Sequence, residues 1–165
     1  MSPRAAWRLE ELGFTQVYDY VASKIDWFAN GLPREGEAAE ILWAGDLARA
    51  DVPTCVPGER VGDARERVDA SGFDVCVVAN EQRIVVGLLR GDALSRAPDE
   101  PVSNVMELGP DTVRPNRPVE ELLQSHAHQG SKHWLVTTSH GVLLGLLLRI
   151  DAERAVDEAE RRAAA

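Results

Sequence analysis

Few side chains in this chain are equipped for covalent or metal chemistry. Cys55 and Cys76 are its two thiols, and neither belongs to a CxxC pair, so their spacing supports neither a disulfide framework nor a zinc site. Both lie in or beside apolar runs, where free cysteine packs as a small hydrophobe. His126, His128, His133 and His140 are close together in sequence, but a His-x-His spacing puts the first two imidazoles on different faces of a helix, which a shared metal does not tolerate. His126 takes the apolar-face position that Val68 holds earlier in the chain, and His133 that of Val75, so both read as core or rim residues. There is no P-loop, no GxGxxG and no Ser/His/Asp arrangement. No catalytic residue and no metal ligand is assigned.

Composition narrows the partners. With 165 residues, 44% of them hydrophobic and 27% charged, the chain is long enough for one ordinary core and a small appendage. A net charge of -9, from 27 acidic and 18 basic residues, repels nucleic acid and anionic membrane surfaces over most of the protein. The opening residues never develop the apolar core of a secretory signal, and the longest apolar stretch, Val142 to Leu148, is too short to span a bilayer. A cytoplasmic protein is expected.

The chain is organised by a repeat. Residues 54–89 align without gaps on residues 112–147 at an offset of 58, matching Thr54 to Thr112, Pro57 to Pro115, Gly72 to Gly130 and Gly87-Leu-Leu to Gly145-Leu-Leu. With a gap of one residue, Asp92 falls on Asp151. Val61, Ala64 and Val68 share one helical face, as do Val119, Leu122, Leu123 and His126, which predicts an amphipathic helix in each copy. Gly72 and Gly130 stand where a left-handed C-cap would end each helix. Two apolar runs follow in each copy, Val75-Cys-Val-Val then Ile84 to Leu89, and Trp134-Leu-Val then Val142 to Leu148. Near-continuous hydrophobicity predicts strands covered on both faces, with Asn80–Arg83 and Thr138–Gly141 as hairpin turns. A helical segment at Ala38 to Ala48 precedes the first copy as Val102 to Met106 precedes the second. A unit of this size conceals only roughly 60% of its unfolded surface alone, so the two copies are expected to pack together.

On these residues the sequence resembles a tandem pair of cystathionine-beta-synthase-type (CBS) repeats, a Bateman module, over residues 38–157. The resemblance implies a mixed α/β fold of two pseudo-symmetric β-α-β-β-α repeats packed through their sheets, 38–97 and 98–157, with a helix end at 158–165. It also implies a ligand cleft between the repeats for an adenosine-containing molecule such as AMP, ATP or S-adenosylmethionine. By that resemblance Thr54 and Thr112 are candidate ligand-binding residues, and Asp92 and Asp151 candidate acceptors for ribose hydroxyls. The sequence departs from the family pattern where a Thr precedes the Asp: Arg90 or Gly91 stands there in the first copy and Leu148 in the second. Arg90, with Arg149 or Arg114 at the second site, is the candidate substitute for a phosphate-binding hydroxyl. The competing reading makes Asp92 and Asp151 N-caps of the closing helices.

Residues 1–36 are similar to the C-terminal third of a rhodanese-like domain. The order is a helix over Ser2 to Phe14, a strand at Gln16 to Tyr20, then Trp27-Phe-Ala-Asn-Gly-Leu-Pro. The active-site Cys of that family has no counterpart in these residues, and without a thiolate there is no sulfur carrier. The short α/β appendage leaves Trp7, Phe14, Tyr18, Tyr20, Trp27 and Phe28 in need of cover. The expectation is a non-catalytic, ligand-sensing regulatory module that forms a homodimer through its repeats. The alternatives are a purely structural dimerisation module and the regulatory part of a rhodanese-like sulfurtransferase.

Overall fold

The computed structural model describes residues 3–36, 40–125 and 130–164. Two helices, α1 (Pro3–Glu11) and α2 (Ser23–Ala29), form an N-terminal arm. A short helix α3 (Ala44–Leu47) leads into the first repeat, made of β1 (Thr54–Cys55), α4 (Val61–Ser71), β2 (Val75–Ala79) and β3 (Val85–Arg90). A 3-10 turn at Gly91–Ser95, helix α5 (Val102–Val105) and β4 (Glu107–Leu108) connect it to the second. That repeat consists of β5 (Thr112–Val113), α6 (Val119–Gln124), β6 (His133–Thr137), β7 (Leu143–Leu148) and α7 (Arg149–Ala163).

The strands form two sheets, ordered β1-β2-β3-β4 and β5-β6-β7. In each repeat the first two strands are parallel and the next pair antiparallel. The offset of 58 holds well beyond the aligned sequence. The pairing of Leu88 with Glu107 recurs as a bridge between Leu146 and Arg49, and that of Arg60 with Pro101 recurs as Pro118 with Trp43.

Period-two alternation sorts the strand residues between cores. Val75, Val77 and Leu88 face Leu135, Leu143 and Leu146 in a cluster between the sheets. Their neighbours Cys76, Val78 and Leu89 pack instead under α4 with Val61, Ala64 and Val68. Trp134, Val136 and Leu147 do the same under α6 and α7 with Val119, Leu122 and Ala152. The hairpin turns close on side chains: Asn80 Oδ1 accepts from the backbone N–H groups of Gln82 and Ile84, and Thr138 Oγ1 from that of Val142.

The connecting helices are exchanged. Helix α3 precedes the first repeat but packs on the second, where Ala44 N–H donates to Arg117 O at 2.9 Å and Val119 N–H to Leu42 O at 2.9 Å. Helix α5 precedes the second repeat but packs on the first, with Val102 N–H to Glu59 O and Ser103 N–H to Pro57 O, both at 2.9 Å. Each core is therefore completed by a segment on the far side of the repeat boundary.

Three sequence expectations need correction. The first repeat closes in a five-residue 3-10 turn rather than an α-helix, because Gly91 adopts φ 51 and Pro98 stops the chain soon after. Gly72 caps α4 in the left-handed region at φ 74, and Gly130 is left-handed too at φ 85, but α6 already ends at Ser125 in extended geometry. Serine there competes for backbone hydrogen bonds and favours a helix end. His126 and His128 lie outside the described residues. In the arm, 16–20 pairs with no strand among the described residues.

The arm touches the second repeat through α2, where Phe28 meets Trp43 edge-on at 4.8 Å and Arg34 pairs with Asp46 at 2.8 Å. Tyr20, Trp27 and Phe28 are half-buried there, while Trp7, Phe14 and Tyr18 stay exposed.

Candidate ligand site

The candidate residues do not converge on one place. Thr54 lies beside Cys55 at a 200 Å³ pocket near Asn80 and Arg83. Thr112 and Arg114 line a separate depression next to Ile25 of the arm. Arg114 is already engaged: its Nη1 donates to Thr137 Oγ1 at 2.6 Å and to the carbonyls of Thr137 and Thr138. Asp92 is exposed.

Asp151 sits in the first turn of α7 and pairs with Arg154 three residues on. The N-cap positions belong to Arg90 and Leu148, so neither Asp caps its element through its side chain. Arg149 lies over the Trp134 ring at 5.1 Å and donates from Nε to Ser131 O at 2.6 Å.

Arg90 is differently placed. At the end of β3 it faces the segment between β4 and β5 and the start of β6. These enclose a cavity of 150 Å³ between the repeats, walled by Arg90, Glu107, Asp111, Ser131, His133 and Trp134. The cavity shares Arg90, Ser131 and His133 with a wider groove of 920 Å³ that adds Phe73, Asp74 and Lys132. The groove falls in the roughly 300–1,000 Å³ range of small-molecule sites. Arg90 Nε and Nη2 reach Glu107 Oε2 at 2.9 and 2.7 Å, a half-exposed ion pair that an incoming anion can exchange with.

His133 is the residue that sequence reasoning missed, having been assigned to packing. Its Nδ1 is buried without a hydrogen-bond partner at the wall of the cavity. An orphaned buried nitrogen costs about 1–3 kcal/mol unless something satisfies it. Burial pushes the imidazole below its ordinary value of 6.5; Asp74 and Glu107 oppose that shift, and Arg90 and Lys132 reinforce it. The ring is therefore neutral near pH 7, with one nitrogen free to accept. The available signal was that His133 and Ser131 stand where the first repeat has Val75 and Phe73.

The depressed value sets a sign. A folded state that resists protonating His133 has its full stability above 6.5 and loses part of it as the pH falls below that value, because the unfolded chain binds the proton more readily. Between about pH 7.5 and pH 5.5, the thermal midpoint should fall further for the wild type than for His133→Gln. Parallel falls in the two proteins would remove His133 as the cause.

Neither a family model nor a curated protein matches the sequence. Solved structures do match the fold. The CBS domains of a transcriptional regulator from Streptococcus pneumoniae superpose with a TM-score of 0.62 at 22% identity, over 69% of this chain and 98% of that one. CBSX2 in complex with AMP gives 0.63 at 20% identity, over 72% and 98%. A CBS domain pair in complex with 5′-methylthioadenosine and S-adenosyl-L-methionine gives 0.62 at 13% identity, over 72% and 98%. The chain thus has the mixed α/β fold of a tandem CBS domain pair. Among the described residues, no helix is long and apolar enough to cross a membrane.

Proposed function

We propose that this protein is a non-catalytic regulatory module that senses an adenosine-containing anion in the cleft between its repeats. One observation carries the reading: Arg90 from the first repeat and Lys132 and His133 from the second converge on a cavity that leaves a buried imidazole nitrogen unsatisfied. Arg90 and Lys132 supply the cationic donors, beside the carboxylates of Asp69, Asp74, Glu107 and Asp111.

Each part of such a ligand has a partner. The Arg90 fork suits phosphate or carboxylate and exchanges Glu107 for it. The released Glu107 and Asp111 offer carboxylate oxygens to a ribose diol. His133 Nδ1 accepts from an exocyclic amine or a hydroxyl, and Leu94 and Pro110, both partly exposed, supply apolar contact for a base. That two proteins of this fold were solved with adenosine ligands supports the choice.

The same reading takes the module to be a cytoplasmic homodimer. Ile150 on α7 and Leu108 on the edge strand β4, 68% and 73% exposed, supply apolar surface for that contact. Residues 1–36 are the tail of a rhodanese-like domain in this reading. Helix α1 buries no side chain, as suits a fragment whose own sheet lies elsewhere.

The test is fluorescence titration with a mant-labelled adenine nucleotide, followed by displacement with unlabelled AMP and S-adenosylmethionine. Saturable, displaceable binding is expected. A signal that never saturates would favour a purely structural dimerisation module.

A further inference from the structure

The offset of 58 generates two equivalent positions between the repeats, and they are built oppositely. The open cavity is lined by Arg90, Ser131, His133, Pro110 and Asp111. Moved by the offset, these residues become Leu148, Phe73, Val75, Val52 and Pro53. Val52, Phe73 and Val75 are 5%, 7% and 1% exposed and belong to the hydrophobic cluster between the sheets, against which Leu148 also packs. Arg49, the counterpart of Glu107, closes over the Phe73 ring at 4.3 Å and has its own carboxylate partner in Asp51.

We infer that the inner part of the second position is filled by the protein's own side chains, leaving there only an open groove of 480 Å³ along Phe73, Asp74, Leu148 and Arg149, so that the module takes one ligand per chain, at the Arg90 cleft. The phenyl group of Phe73 fills from within the place that Ser131 leaves open in the other copy. Asp151 pairs with Arg154 and is not among the residues lining the open cavity. The occupied cleft joins the end of β3 to the segment between β4 and β5, so ligand binding bears on the junction between the repeats. The stoichiometry rests on the sensor reading, but the contrast between the two positions does not.

Two experiments separate them. Cysteine placed at the paired positions by His133→Cys and Val75→Cys reports access without any ligand, against a background of two buried native thiols. The first should react with a water-soluble disulfide reagent more than about tenfold faster than the second, which needs a local opening first. Similar rates would overturn the asymmetry, whatever the ligand. Calorimetric titration of the wild type with AMP should then give one site per chain, lost in Arg90→Ala and kept in Asp151→Ala. Two sites per chain would overturn the inference, whereas no heat with AMP alongside unequal labelling would count against the adenosine reading and leave the filled position standing.

Discussion

Gly145→Ala is expected to destabilise the protein by about 2–3 kcal/mol, the upper part of the range for forcing atoms into a packed interior. A methyl group there would lie 2.6 Å from Arg49 O and 2.8 Å from Arg49 C, which are backbone atoms. They cannot step aside, because Arg49 N–H and C=O are both tied to Leu146, at 2.9 and 3.0 Å. In a chain of this length the loss corresponds to a fall of roughly 5–10 °C in the thermal midpoint. The pseudo-equivalent Gly87→Ala meets the flexible Met106 Sδ first, at 2.7 Å, with Glu107 O at 3.0 Å, and should cost about 1 kcal/mol. Equal midpoints for the two variants would mean that the entry segment does not cross β7 as described.

Cutting the chain between the repeats should have a larger effect. Residues 40–97 keep α3 but lose α5, so Val61, Ala64 and Val68 lose Val102 from their cluster. Residues 98–165 keep α5 but lose α3, which takes Ala44 from the cluster around Leu122 and Trp134. Both pieces also expose the apolar faces that meet between the sheets. A piece near 60 residues conceals only about 60% of its unfolded surface even when intact. Neither half should unfold cooperatively alone by circular dichroism, and mixing them should restore a transition. A sharp transition in either half by itself would contradict the exchange.

The fold was legible largely because it is duplicated. Shared spacing located both hairpins, and near-continuous apolar runs implied strands covered on both faces, as Val75 to Ala79 are. Gly72 marked the end of α4 because a left-handed residue there has a steric reason. Exchange of α3 and α5 was not legible, since four-residue helices carry too little periodicity to show which core they face.

The site was only partly legible, for a related reason. Spacing placed Asp92 and Asp151 near the strand ends but not the direction of their carboxylates, and the first closing element is a 3-10 turn, with Gly91 at φ 51, where the second is an α-helix. Arg90 was found because it replaces a hydroxyl at a strand end. His133 was overlooked because position on an apolar face does not distinguish a packed imidazole from one at a cavity wall. Its meaning emerges only when both copies are superposed and the groups at the two positions are compared.

The most direct measurement is a thermal-shift titration of wild type, Arg90→Ala and Asp151→Ala with AMP, ATP and S-adenosylmethionine. At a hundredfold excess over Kd, one ligand should add about 2.7 kcal/mol, roughly 5–10 °C here, to the wild type and to Asp151→Ala but not to Arg90→Ala. A shift that survives in Arg90→Ala and vanishes in Asp151→Ala, or no shift with any of the three, would contradict a sensing site at the Arg90 cleft.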